Sequence, residues 1–323
     1  MLRASSLLAP AEIRRFGARS DAVGAALVVH AWAVIAVAMA LFVLWPNPLT
    51  LAAAIMIIGG RQLGLAILMH DAAHGLLFRR KSLNDLVAQW LCAYPVVTNL
   101  HLYRPYHLKH HRLTQQADDP DLVLSAPFPI TRASLKRKIV RDLTGQTGYQ
   151  RRKAQLRDAL GPPGTPWRER AARLRQRLGG AALANLALFS GFAVAGYWWL
   201  YPLLWLLPLL TWYQLVSRIR NIAEHAVVPD NDDPWRNTRT TLADPLTRLV
   251  LAPYRVNYHL EHHLFPFAPC WRLPRLHRHL LAQGHGPRME LRQSYREVLA
   301  RATASRAGVP PSAASHRDAA QHI

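Results

Sequence analysis

Cysteine is nearly absent. Cys92 and Cys270 are the chain's two, and they form no CxxC, which excludes a disulfide framework and a thiolate zinc site. Acidic residues are also scarce, with 19 Asp and Glu against 40 Lys and Arg, for a formal charge of +21. No RRM, zinc-finger or helix-turn-helix pattern is present, so the positive charge is not read as a nucleic-acid surface. Half of the 323 residues are hydrophobic, yet mean hydropathy is −0.01. Apolar blocks must therefore alternate with basic ones, an arrangement suited to an anionic lipid bilayer.

Four blocks are nearly free of charge. The first covers 22–45, the second 49–69, the third 179–199 and the fourth 201–217. About 20 apolar residues cross a bilayer, and the turns within each pair are very short. The reading is four transmembrane helices in two tight hairpins. The turns at 46–48 and around 200 lack Lys and Arg, whereas the N-terminal segment (Arg14, Arg15, Arg19), residues 104–178 and the tail are rich in Arg. Positive loops stay in the cytoplasm, which puts both termini and the middle segment there. The first block is too long for a secretory signal, and a second span follows at once. Segments 86–97 and 242–254 are too short to cross and are read as interfacial or re-entrant helices. Residues 130–178 are read as a basic amphipathic segment on lipid headgroups, and the chain from about Ala302 as disordered.

Histidine is what the chain has in excess. "HDAAH" holds His70 and His74, "HLKHH" holds His107, His110 and His111, and "HLEHH" holds His259, His262 and His263. His225 ends "NIAEH", with Asn221 one turn before it on the same helix face. All lie next to the cytoplasmic ends of the apolar blocks. Neutral imidazole suits iron, copper, nickel and zinc, and nine imidazoles are too many for one ion, so two ions are expected. A catalytic zinc takes only three protein ligands. Nine histidines beside a bilayer fit two irons and an oxygen-derived oxidant better, because no side chain removes hydrogen from an unactivated methylene. A metal transporter is the rival from another class. It would place ligands near mid-bilayer on broken helices, whereas these boxes flank the spans. The other seven histidines (His30, His101, His277, His279, His285, His316, His322) are read as ordinary polar groups.

"HDAAH", "HLKHH" and "HLEHH", in that order and with "NIAEH" before the last, resemble the membrane fatty acid desaturase family, which also contains hydroxylases and carotenoid ketolases. The resemblance runs from about residue 20 to 285. It implies an all-α fold: an integral membrane four-helix bundle whose cytoplasmic helical cap (70–178 and 218–285) holds a di-iron site. The membrane domain would be 22–285, preceded by a cytoplasmic segment 1–21 and followed by a basic tail 286–323. By the same resemblance the iron ligands would be His70, His74, His107, His110, His111, His225, His259, His262 and His263, with Asn221 holding an iron through a water. The implied activity is O2-dependent desaturation of an acyl chain, with lipid or carotenoid hydroxylation or ketolation as the sibling chemistry. The first box has three residues between its histidines, where acyl-CoA desaturases have four, which favours an acyl-lipid substrate. No HPGG of a fused cytochrome b5 is present, so a separate electron donor is expected, of ferredoxin or cytochrome b5 type with its reductase. Arginine far outnumbers lysine, which suggests a GC-rich bacterium and so an inner membrane.

Two ferrous ions on neutral ligands leave about four positive charges to offset, so Asp71, Asp118, Asp119, Asp121, Glu224 and Glu261 are expected to supply acceptors for the distal ring N–H groups. Arg61 falls within the second span, on the helix face away from His70, where it either snorkels to headgroups or meets a polar neighbour. Trp90, Tyr94, Trp212 and Tyr213 are read as interfacial aromatics rather than tunnel walls.

Overall fold

The computed structural model describes residues 4–304. A short helix, α1 (Pro10–Phe16), leads into α2 (Asp21–Leu44), where the Ser20 hydroxyl accepts the Val23 N–H. The uncharged run stays helical as far as the Pro46 turn. Asn47 then caps α3 (Pro48–Ala73), accepting from Leu49 and Thr50, with Pro48 in the first turn where its missing N–H costs nothing. The two helices pack along their length as an antiparallel hairpin. Close approach at its lower end depends on Gly24, where a Cβ would lie 2.1 Å from the Leu77 carbonyl oxygen.

Next come α4 (Lys81–Val87), a π-helical turn over Ala88–Ala93 and a 3-10 turn over Tyr94–Val96. Segment 86–97 is thus helical, with Gln89 and Cys92 buried against α3 and the Trp90 edge exposed. α5 (Leu100–Leu113) is capped by Asn99. Then follow α6 (Leu122–Ser125) and two basic helices, α7 (Arg132–Leu143) and α8 (Gln146–Leu160). The "GPPGTP" break at 161–166 separates them from α9 (Trp167–Leu174). α9 runs through a π turn into α10 (Gly180–Val194), whose side chains are mostly exposed.

Among the described residues, three stretches are long and apolar enough to cross a membrane: Pro10–Leu44, Pro48–Ala73 and Trp167–Val194. The third apolar block therefore begins its helix earlier than 179 and ends it at Val194. The fourth block is interrupted. A π turn over Tyr201–Leu206 and α11 (Leu207–Leu210) precede a break at Thr211 (φ −117°, ψ −87°), and α12 (Trp212–His225) follows. Pro202 and Pro208 each fall in the first turn of their element, at the start of the π turn and of α11, while the break at Thr211 lies three residues beyond Pro208.

The rest of the chain is α13 (Pro245–Val250), α14 (His259–Leu264), α15 (Leu273–Ala282) and α16 (Tyr295–Ala302). A two-residue parallel pairing joins β1 (Thr240–Thr241) to β2 (Leu291–Arg292). The chain is otherwise helical or irregular among the described residues, in keeping with an α fold. The expectation of disorder beyond about Ala302 falls almost wholly outside the described residues.

α3 is the central element, buried from Ile58 to Leu65 and from Ile67 to Ala73. Gly60 lets α13 press against it, for a Cβ there would meet the Leu249 and Val250 carbonyl oxygens at 2.9 Å. Next to this contact Arg61 donates to the carbonyls of Arg248 (2.9 Å) and Leu249 (2.6 Å). Its polar neighbour is thus the last turn of α13, whose carbonyls lack helical partners. Trp212 fits against Gly59, with its indole N–H 3.4 Å from the Val250 carbonyl, so it is a packing residue of the bundle.

Candidate metal centre

The nine box histidines converge in two neighbouring groups. His70, His74, His107, His111 and His262 form one; His110, His225, His259 and His263 form the other. Within each group the available ring nitrogens lie within 4.8 Å of one another. The division follows from helical geometry. Residues i and i+4 are about 40° apart around a helix, while i+3 lies about 60° to the other side. α5 accordingly gives His107 and His111 to the first group and His110 to the second. α14 does the reverse, giving His259 and His263 to the second and His262 to the first. Each HxxHH helix therefore bridges both groups, and His111 stacks on His263 across the boundary at 4.1 Å.

The ring nitrogens are arranged to share something other than protons. His107 Nε2 lies 2.9 Å from His74 Nε2 and 3.0 Å from His111 Nε2, which is itself 2.9 Å from His262 Nε2. A neutral Nε2 offers either one N–H or one lone pair. At most two of these three contacts can therefore be hydrogen bonds. In the other group His259 Nε2 lies 2.9 Å from His225 Nε2 and 3.1 Å from His263 Nε2, and only one of that pair can be bonded. Both ring nitrogens of buried His70 are unpaired, as is Nδ1 of His225. A cation at the centre of each group would accept every converging lone pair, so the donor set fits two metal ions. Burial, followed by the neighbouring charges, holds His107, His111, His225, His259, His262 and His263 well below the usual imidazole pKa. His74 is pushed down to about 4 by the same burial and by Arg104. The rings are thus neutral at pH 7, the form in which imidazole is a ligand.

Distal nitrogens are held from outside in two cases. His110 Nδ1 donates to Asp119 Oδ1 at 2.8 Å, and His263 Nδ1 lies 3.2 Å from the Thr114 hydroxyl. Of the six acids expected to serve, Asp119 alone is within bonding distance of a box histidine. Asp71 is 3.7 Å from His70 and instead accepts the Cys270 N–H at 2.8 Å. Glu224 pairs with Arg220 at 2.6 Å and stands 3.5 Å from His259 Nδ1. Asp121 is 3.8 Å from His110, takes the Tyr106 hydroxyl, and Asp118 is exposed. Glu261 faces away from the nine box histidines, toward Thr240 and His277. Adjacency in sequence misleads here because neighbouring residues on a helix point about 100° apart.

Asn221 lines a small cavity at the second group, together with Tyr103, Asp121, Arg220 and Glu224. Among the remaining histidines, His30 meets the Tyr254 hydroxyl at 3.1 Å and His279 meets Glu12 at 2.9 Å. His316 and His322 lie outside the described residues. Sequence reasoning did not single out Thr114, Gln115 or Arg239. Thr114 lay three residues beyond His111, just past the end of α5, and that closeness in sequence is the one signal that pointed to it.

Long apolar helices that end in two imidazole clusters define the class of histidine-box membrane oxidoreductases. The chain belongs to the fatty acid desaturase family, which it matches over residues 45–295. It is 27% identical over 239 residues to dihydrorhizobitoxine desaturase of Bradyrhizobium elkanii, a match covering 71% of this chain and 66% of that one. Zeaxanthin 4-ketolase of Chlamydomonas reinhardtii is 26% identical over 219 residues, 66% of this chain and 40% of the ketolase. Beta-carotene ketolase of Paracoccus sp. (strain PC1) is 25% identical over 222 residues, 66% of this chain and 74% of the ketolase. The matched region thus spans just under two thirds of the first relative and less than half of the second. The protein is an oxidoreductase of the membrane desaturase, hydroxylase and ketolase superfamily.

Proposed function

We propose that this chain is a membrane-bound, O2-dependent acyl-chain desaturase with two irons in its paired histidine groups. The observation that carries the reading is the convergence of nine imidazoles into one group of five and one of four. His70, His74, His107, His111 and His262 hold one iron. His110, His225, His259 and His263 hold the other, with Asn221 reaching it through a water. Bound there, two irons supply the dioxygen activation needed to take hydrogen from an unactivated methylene. The chain's own part is to keep the rings neutral, fix their direction and bury them. Asp119 holds His110 in the tautomer that leaves Nε2 free for the metal.

In the bilayer, α2, α3, the α9–α10 helix and the interrupted segment 201–217 make a four-helix bundle in two hairpins. Residues 70–178 and 218–285 form the cap on the cytoplasmic side, within a membrane domain 22–285 flanked by segments 1–21 and 286–323. Arg-rich segments on that side support the orientation. The membrane is a bacterial inner membrane. The substrate is an acyl lipid or fatty acyl group, and a ferredoxin or cytochrome b5 type protein with its reductase supplies electrons.

The two ketolase relatives favour a second reading, in which the same site inserts oxygen into a lipid or carotenoid. Expression in a host with simple lipids, followed by mass spectrometry with and without His107→Ala, separates the two. Loss of two hydrogens from an acyl chain, abolished by the substitution, supports the desaturase. Gain of oxygen supports the second reading. An unchanged lipid profile in a host that supplies an electron donor overturns the acyl-chain assignment.

A further inference from the structure

The segment "TRTT" at 238–241 is wholly buried although it contains no apolar residue: Thr238, Arg239, Thr240 and Thr241 are each no more than 2% exposed. Two consecutive members of it reach two different histidine-bearing helices. The Arg239 guanidinium donates to the carbonyls of Ala223 (3.1 Å), Ala226 (2.9 Å) and Val227 (2.9 Å), closing the open C-terminal end of α12 at His225. Its Nε is bonded to Glu290 at 3.0 Å. The next residue, Thr240, donates its hydroxyl to Glu261 on α14, and His277 Nδ1 on α15 donates to the other oxygen of that carboxylate at 2.5 Å. Glu261 is fully buried and lies on the face of α14 opposite His259, His262 and His263.

α14 is only six residues long. A helix so short does not hold its own orientation, so the rings on one face are aimed by whatever grips the other. The grip is the Glu261 carboxylate, held at both oxygens. The residue that supplies one of its donors is covalently joined to the residue that closes α12. His225 and His259, whose Nε2 atoms lie 2.9 Å apart, are thus set by one rigid dipeptide.

We infer that Arg239, Thr240 and His277 are positioning residues for the four-histidine group, a bracket that aligns α12 with α14 and acts on the metal only through Glu261 and the end of α12. This rests on the two-iron reading above. Of the five-histidine group only His262 is on α14, so that group depends on the bracket far less.

The test uses the full chain in lipid nanodiscs, with iron quantified per chain, iron release to a chelator, and melting of the metal-free protein. Thr240→Val keeps shape and removes the hydroxyl; His277→Leu removes the ring donor; His277→Asn restores an N–H near the position of Nδ1. Iron should fall from two per chain to about one in the first two variants. The ion that is lost should bind about 10–100-fold more weakly, the range for outer partners of metal ligands. His277→Asn should recover most of the loss, and metal-free melting should fall only modestly, because Glu261 loses one of its donors, while the five-histidine group keeps its ion. Two irons retained with unchanged release kinetics overturns the inference. So does loss of both ions in step with a lowered metal-free melting temperature, the mark of general structural support. Wild-type protein that binds no iron pair overturns the two-iron reading instead.

Discussion

Asp119 is the acid through which the site can be loosened most selectively. Its carboxylate accepts His110 Nδ1 at 2.8 Å, the Gln115 N–H at 2.8 Å and the Asp121 N–H at 2.9 Å. Gln115 has a left-handed backbone (φ 63°), and its amide donates to the His225 carbonyl at 2.8 Å. One carboxylate therefore steadies two of the four histidines in its group, His110 directly and His225 through Gln115. Asp119→Ala leaves two buried donors, on His110 and Gln115, without partners. At about 1–3 kcal/mol for each unsatisfied buried group, the metal-free protein should lose about 2–6 kcal/mol of stability. Iron affinity should drop about 10–100-fold. Asp119→Asn keeps one acceptor but turns an NH2 toward a backbone donor, so it should fall between wild type and Asp119→Ala. Thermal unfolding in detergent and iron release to a graded chelator series measure the two effects. Iron retention by Asp119→Ala equal to wild type would refute the reasoning.

Gly24→Ala should push α2 away from the Leu77 carbonyl, lowering stability by about 1–3 kcal/mol as overpacking does, read as a lower melting temperature. Asp85 titrates below the ordinary aspartate range: burial opposes its charge, but bonds from Arg104 and Asn84 prevail. A lowered folded-state pKa gives stability that is present above about pH 4 and fades as acid carries the pH through that pKa. Asp85→Asn should flatten the acid limb of a stability-against-pH curve and leave the alkaline limb unchanged. Chelation should abolish oxidation of substrate, and product formation should return with ferrous iron and not with zinc.

The histidine boxes were legible because ligand spacing on a helix is a local property. HxxHH places three rings within a fan of about 100°, whatever the surrounding fold. The allotment of His110 and His262 to the groups opposite their neighbours was not legible, since it depends on how α5 and α14 face each other. The first hairpin could be read from two apolar runs nearly free of charge, 22–45 and 49–69, on either side of the turn from Pro46 to Pro48. The segment 201–217 was read as continuous because its composition is apolar, and composition does not show the break at Thr211. Long-range polar contacts were the least legible. Arg61 finds carbonyls 187 and 188 residues away. Glu261, flanked by histidines in sequence, points instead to His277 and Thr240, because packing decides which face of a six-residue helix is turned inward.

The central claim is two irons in adjoining cages of five and four imidazoles. Anomalous scattering at the iron absorption edge, from crystals of the full chain, tests it most directly. The account predicts two iron peaks, one within each histidine group. A single peak, or full occupancy by zinc with no iron signal, would contradict it.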